Sequence, residues 1–463
     1  MSFLLRGVGW RYVSALMVSC IIASPACAGG AKAPDTGDTA WVLVASALVL
    51  FMTLPGLALF YGGLVRARNL LSVLMHCFVI CCVVSLLWAA FGYSLSFGHG
   101  GVLIGPLDNP FLVHLGNKAL RGNLPEAVFA LFQMTFAVIT PALIIGAFPE
   151  RVRFPFVLLF TMGWFVIVYL PVAHWVWGGG WAAAAGVIDF AGGIVVHTTA
   201  GVSALVAALM VGARAGFPRH VLPPHNPGMT VAGAGMLWVG WFGFNGGSAL
   251  AADGSAGMAI LATHFAASAA ALTWMAVEWL CAGRPSSIGL VTGAVAGLAT
   301  ITPAAGFVGP TSAIAIGVAG GAVCFLTTIF VKHRLHIDDS LDVFSVHGVG
   351  GMLGSLLVAV FVARTLGGVG YAGTNLAGQL GAQTIGIAAA AAWSALATVA
   401  LVKLVGAAVG VRVEAQDEYE GLDFASHGER AYDYGHSSAR KPLRLMSPEA
   451  ETDHSAEVKK NRR

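Results

Sequence analysis

Charge is scarce in this sequence. Only 10% of the 463 residues are Asp, Glu, Lys or Arg, 57% are hydrophobic, and twenty of the 47 charged residues fall after Gly410. The first 410 residues therefore lack the charged surface that a water-soluble domain needs, which leaves a membrane protein with an aqueous tail. The net charge of +3 offers no basic face for nucleic acid, and in such a chain the sign of charge matters loop by loop. Cysteine is also sparse, at seven. Cys77, Cys81, Cys82, Cys281 and Cys324 lie in or beside apolar runs, where a thiol behaves as a small hydrophobe. No disulfide framework, metal site or cofactor is expected.

What is present begins with a leader. Arg6 and Arg11 precede the apolar stretch 13–23, and Ala26-Cys27-Ala28 follows. Basic, apolar and small-residue segments in that order read as a signal peptide over residues 1–28, cut after Ala28, and the apolar stretch is too short for a span of ~20 residues. Cys20 and Cys27 leave with it. Runs long enough to cross a bilayer then occur at 40–64, 70–97, 125–148, 154–176, 191–212, 229–252, 256–282, 286–305, 309–331, 343–363 and 382–410. The expected fold is all-α and polytopic, with eleven transmembrane helices over residues 29–411 and a cytoplasmic tail over 412–463. With the mature N-terminus outside, nine basic loop residues (Arg66, Arg68, Arg151, Arg153, Arg214, Arg219, Arg284, Lys332 and Arg334) fall in cytoplasmic loops. Only Lys118, Arg121 and Arg364 fall outside. That bias follows the positive-inside rule and supports the orientation.

Ten of the eleven runs divide into two sets of five, and an odd number per set turns the second set upside down in the membrane. This is an inverted repeat plus one C-terminal helix. The fifth span follows Asp189 and carries His197; the tenth follows Asp342 and carries His347. At about 1.5 Å per residue, His197 lies ~12 Å beyond its aspartate and His347 ~8 Å beyond its own, from opposite faces of a ~30 Å core. Both approach the midplane, where an ionisable side chain marks a functional pathway. A lone buried histidine such as His76, His174 or His264 reads instead as a core residue bonded to a neighbour.

Neutral imidazoles each offer one donor and one acceptor, so the pair could bond a small polar molecule or each other and pass a proton. Asp189 and Asp342 are read first as helix caps and structural support, with direct cation contact the alternative. Phe132, Phe136, Trp175, Trp177, Trp241, Phe242 and Phe244 lie near helix ends, where single aromatics are ordinary anchors. The glycine-flanked Trp177, and Phe244 followed by Ser248, add ring faces and a hydroxyl that could hold a small cation without a counter-charge.

Six stretches carry a resemblance to a known family: FYGGLVR at 60–66, AHWVWGGG at 173–180, DFAGGIVVH at 189–197, GWFGFNGGS at 240–248, DVFSVHGVG at 342–350 and GLDFASHGERAY at 421–432. In that order the chain resembles the ammonium transporter (Amt/Mep/Rh) family, bacterial Amt type, over about residues 38–435. The resemblance implies transport of ammonium or ammonia across a bacterial inner membrane by a homotrimer with one pore per subunit. It implies an outer substrate site at Phe136, Trp177 and Ser248, a ring gate at Phe136 and Phe244, and a pore at His197 and His347. Asp189, Asp342 and Thr292 are implied as structural support, Thr292 standing where a serine is common and Ser345 where a glycine is frequent. The tail resembles the region that contacts neighbouring subunits and the PII signalling protein, and matching stops near residue 435.

Two other classes fit parts of this pattern. An ammonium sensor signalling through its tail would share the whole transmembrane domain. An intramembrane enzyme would use the histidines as acid and base, but no nucleophile, metal triad or carboxylate pair shares their spans. A neutral gas such as carbon dioxide fits the twin histidines and not the cation-type outer site.

Overall fold

In the computed structural model, residues 33–220 and 223–432 are described, and eleven helical segments stand at the eleven expected places. They are α1 (Thr36–Leu64), α2 (Ala67–Phe97), α3 (Glu126–Ala147), α4 (Phe154–Ala184), α5 (Gly193–Val211), α6 (Pro227–Gly247), α7 (Gly254–Ala282), α8 (Ser287–Ile301), α9 (Pro310–Arg334), α10 (Phe344–Phe361) and α11 (Leu376–Val409). Nine of these are long and apolar enough to cross a membrane. The other two are α6, diluted by glycines, and α8, only 15 residues long. The protein is thus an all-helical membrane protein, with one small hairpin among the described residues, β1 (Leu120–Arg121) against β2 (Leu124–Pro125). The signal-peptide reading of residues 1–28 and the tail beyond residue 432 lie outside the described residues.

Several helices are not straight α-helix. Wide π turns interrupt α1 at Met52–Leu57, where Pro55 supplies no N–H, and α4 at Phe165–Tyr169. The same wide turn opens both α5 (Gly193–Thr198) and α10 (Phe344–Val349), the two histidine-bearing segments. Such turns re-aim side chains and occur often at functional sites. These two helices also meet each other through glycine. A Cβ on Gly201 would lie 2.2 Å from Gly348 Cα, and one on Gly351 would lie 2.6 Å from Gly193 O. The reciprocity, α5 on α10 and α10 on α5, is the packing form of the inverted repeat, and small residues allow the close approach.

α11 starts six residues earlier than its apolar run. Asn375 caps it by accepting from Gly378 N, and Gln379, ahead of the apolar run, and Gln383, its second residue, are both buried. Gln383 bonds Ile188 through both its oxygen and nitrogen and also donates to Ser355 O, fixing the segment that leads into α5. Tertiary hydrogen bonds here recover what hydropathy would forbid.

The chain ends on one face of the bundle, called here the tail face. Helices α12 (Ala415–Glu420) and α13 (Leu422–His427) lie against the ends of α1, α2 and α5. Arg66 donates to Glu418 O, Leu422 N donates to Asn69 Oδ1 at 2.7 Å, and Ser72 N donates to Asp423 Oδ1 at 2.8 Å. Beneath them Arg151 is fully buried. Its guanidinium donates to Gly212 O, Pro149 O, Ala147 O, Asp338 O and Ser340 Oγ, which satisfies all five of its N–H groups.

Candidate permeation site

On the side of the bundle away from the tail, three helical segments converge. α3 supplies Phe136, α6 supplies Phe244, and the turn after Val176 in α4 supplies Trp177. Phe136 and Phe244 stack with ring centres 4.2 Å apart and 28° between planes, and Trp177 meets Phe136 edge-on at 5.7 Å. Both phenylalanines are buried, so the stack closes the way inward. Ser248 is half-buried, one turn beyond Phe244, and donates to Phe244 O at 2.8 Å, which leaves its oxygen free to accept. The predicted outer residues are therefore neighbours in space.

Asp189 stands behind this group. Oδ1 accepts from Gly192 N and Gly193 N at 2.9 and 2.6 Å, and Oδ2 accepts from Ile194 N and Val195 N at 2.8 and 3.0 Å. Four donors fill the carboxylate's acceptor sites, so its geometry is that of a complete cap on α5 and not of a cation ligand. Its backbone carbonyl accepts from Trp177 Nε1 at 2.8 Å, which ties the aromatic turn to the start of the histidine helix.

Below the ring stack, His197 and His347 meet with Nδ1 atoms 3.3 Å apart and nearly parallel rings. Both are buried. Trp241 stacks on His197 at 5.5 Å and turns its own N–H away, donating to Thr302 Oγ1 at 2.9 Å. The pair lines a small cavity whose other walls are apolar side chains such as Met52, Leu143, Leu237 and Val295. His197 Nε2 is buried there with no protein partner. A shared proton between the Nδ1 atoms fixes the rest: one neutral ring presents an Nε2 lone pair and the other an Nε2–H. The apolar cavity thus meets a histidine pair that offers one acceptor and one donor.

The carboxylate that answers Asp189 in the second half is not Asp342. Asp342 has a left-handed backbone (φ 63°) and pairs with Lys332 Nζ at 2.6 Å. The cap on α10 is Asp339, whose Oδ2 accepts from Phe344 N at 2.7 Å. A sequence signal for this exists: Asp189 precedes His197 by eight residues, and Asp339 precedes His347 by eight. Proximity to the apolar run favoured Asp342; equal spacing identifies Asp339. Burial and the neighbouring Asp342 carboxylate push the Asp339 carboxyl up to about 7. Thr292 is buried one turn into α8 and belongs to neither the ring stack nor the lining of the cavity. Trp241, read from sequence as an interface anchor, is part of the histidine stack. Among the described residues no group of His, Cys, Asp and Glu could hold a metal ion.

A helical membrane bundle with a stacked ring pair above two buried histidines in an apolar cavity is the arrangement of a membrane protein. The chain belongs to the Ammonium Transporter Family, whose model matches residues 40–432, a family of transporters rather than enzymes. It is 45% identical over 421 residues to the ammonium transporter of Aquifex aeolicus (strain VF5), across 90% of this chain and 98% of that one. Its fold is similar to the crystal structure of Saccharomyces cerevisiae Mep2, with a TM-score of 0.77 at 38% identity, covering 87% of this chain and 93% of that one. It is also similar to a solved structure named Sensor Amt Protein, with a TM-score of 0.78 at 32% identity, covering 84% and 98%.

Proposed function

We propose that this chain transports ammonium by recruiting the ion at Phe136, Trp177 and Ser248, leaving its proton on the outer side of the Phe136–Phe244 gate, and passing ammonia between His197 and His347. The observation that carries this reading is the His197–His347 contact, 3.3 Å between Nδ1 atoms, in an otherwise apolar cavity beneath the ring stack. Ring faces and the Ser248 oxygen suit a small cation, but potassium resembles ammonium in size and charge, and only a step that removes a proton separates them. A dry passage favours the neutral molecule, because burying an unpaired ion costs far more than burying a hydrogen-bonded polar molecule.

The setting that accompanies this mechanism is a bacterial inner membrane, with the mature N-terminus outside after loss of residues 1–28, and residues 29–411 spanning as one of three subunits in a homotrimer. Residues 412–463 form the cytoplasmic regulatory tail, where a PII signalling protein would act. Asp189 and Asp342 serve as structural support, and Thr292 as a lesser one. The double variant His197→Ala with His347→Ala, reconstituted in liposomes, is expected to lose ammonium-driven flux. Unchanged flux, or potassium carried as well as ammonium by the unmodified protein, would sink the reading.

A sensor role is the second reading, favoured by a tail bonded to the loops that close the bundle. Deleting residues 412–463 separates the two: a transporter keeps measurable flux, whereas a sensor shows negligible flux throughout and loses only signalling.

A further inference from the structure

Thr302 has a role that the histidine pair alone does not explain. It closes the end of α8 and is fully buried, yet it is not among the residues that line the cavity. Its hydroxyl donates to Leu298 O at 2.7 Å, which leaves an oxygen lone pair to accept from Trp241 Nε1 at 2.9 Å. An indole has one polar atom, and it only donates. With that atom held by Thr302, what Trp241 turns to His197 is the face of its ring, at 5.5 Å and 27° between planes.

The same corner seats the two helices that carry the histidines. Pro303 O accepts from Phe190 N at 3.2 Å, and a Cβ on Gly193, the first residue of α5, would lie 2.5 Å from Pro303 Cβ and Cγ. Gly354 of α10 packs so closely on Thr300 O that a Cβ there has no room. Trp241, α5 and α10 are thus all held against residues 300–303, and the distance from the indole to the histidine pair is set at that corner and not within α6 alone. One helical turn further along α6, Phe244 meets Trp241 at 5.6 Å and continues the wall toward the ring stack.

We infer that Thr302 is a positioning residue for the permeation pathway: from outside the cavity, its hydroxyl holds the Trp241 indole flat on His197 and keeps the indole N–H out of the passage. This rests on the permeation reading above. Without the hydroxyl, the N–H is a buried donor with no acceptor, a costly state that the ring escapes by turning. The turn takes away the flat wall against which the His197 ring lies. It also brings into an apolar cavity a donor that competes with the permeating molecule for hydrogen bonds.

The test uses the full chain in proteoliposomes, with initial uptake of labelled methylammonium measured at one fixed pH. Thr302→Val keeps the shape and removes the hydroxyl. It is expected to lower the maximal rate about tenfold, the worth of one buried hydrogen bond, with KM little changed because the outer residues are untouched. Thr302→Ser restores the hydroxyl and with it the rate. In a Trp241→Phe background there is no N–H to hold, so Thr302→Val should cost nothing further. Three results overturn the inference: a Thr302→Val rate equal to that of the unmodified protein, a Thr302→Ser rate as low as that of Thr302→Val, or an equal loss in both backgrounds, the mark of a purely structural threonine. If Thr302→Val fails to reach the bilayer, or the Trp241→Phe background carries no flux, hydrogen exchange on the unmodified protein decides. The indole N–H signal that is missing from Trp241→Phe should resist exchange with heavy water, and exchange as fast as that of an exposed indole overturns the inference. His197→Ala with His347→Ala run alongside separates the two layers. If that double change leaves flux unchanged, the permeation reading fails; if it abolishes flux while Thr302→Val does not lower it, only the role of Thr302 fails.

Discussion

At the scale of single residues, function here depends on saturation. Asp189 gives every acceptor site to backbone N–H groups, and the polar handle of Trp241 is paired with Thr302. His197 Nε2, in contrast, is buried with no protein partner beside a small apolar cavity. A polar atom buried without a protein partner is costly and is kept where a ligand or water can meet it. Asp189→Asn replaces one acceptor oxygen by an NH2 group that faces donors, orphaning two backbone N–H groups. The expected loss is about 2–5 kcal/mol, read as a lowered unfolding temperature in detergent, with the ammonium flux reduced as α5 shifts. A thermal midpoint equal to that of the unmodified chain would show that the cap is dispensable.

At the scale of elements, the two halves are alike in plan and unequal in chemistry. Asp189 takes four N–H groups, while Asp339 has a buried Oδ1 without a partner and a second carboxylate, Asp342, beside it. Burial first, and then Asp342, raise the Asp339 carboxyl from the ordinary range to about 7, against the opposing pull of Lys332. The folded chain therefore holds a proton that the unfolded chain releases between pH about 4 and about 7. That contribution to stability is complete at the acid end and is lost as pH rises through 7. Asp339→Asn keeps an oxygen for Phe344 N and is expected to flatten the profile over this window; a profile as steep as before would remove Asp339 from the account.

The contact of α5 with α10 makes a second demand at this scale. Gly201→Ala would drive a methyl group into the Gly348 backbone, 2.2 Å from its Cα. Overpacking of this kind costs about 1–3 kcal/mol, and because the same two helices carry His197 and His347, flux should fall more than stability does. Equal loss of flux and of folded protein would argue for simple misfolding. Equal spacing made the Asp339 cap legible in the sequence, but the glycine contact was not, since nothing local distinguishes Gly201 or Gly348 from the many glycines that merely loosen a span.

At the scale of the whole molecule, the tail closes the bundle on itself. Glu418 accepts from Arg412 at 2.8 Å and from Ala215 N at 2.7 Å, and its own carbonyl accepts from Arg66, so one residue joins the tail to the ends of α5 and α1. Glu150 below binds Arg66 and Arg214 at 3.2 and 3.3 Å, and these paired guanidinium groups hold its carboxyl below the ordinary range despite its burial. Glu418→Ala is expected to expose residues 412–432 to protease in native membranes while the transmembrane fragments stay intact. A tail as resistant as before would mean that the remaining contacts of α13 suffice.

The sequence by itself determined the membrane class, the eleven helical segments, the inverted plan and the identity of the histidine pair. All of these follow from how water and lipid sort side chains along a chain of fixed rise per residue. Only the tertiary structure decided that the histidines meet Nδ1 to Nδ1, that Gln379 is interior, and that Trp241 belongs to the stack. Those outcomes depend on which partner each hydrogen-bonding group finds across the bundle. Pairing of that kind is set by helix crossings tens of residues apart, and local pattern carries no record of it.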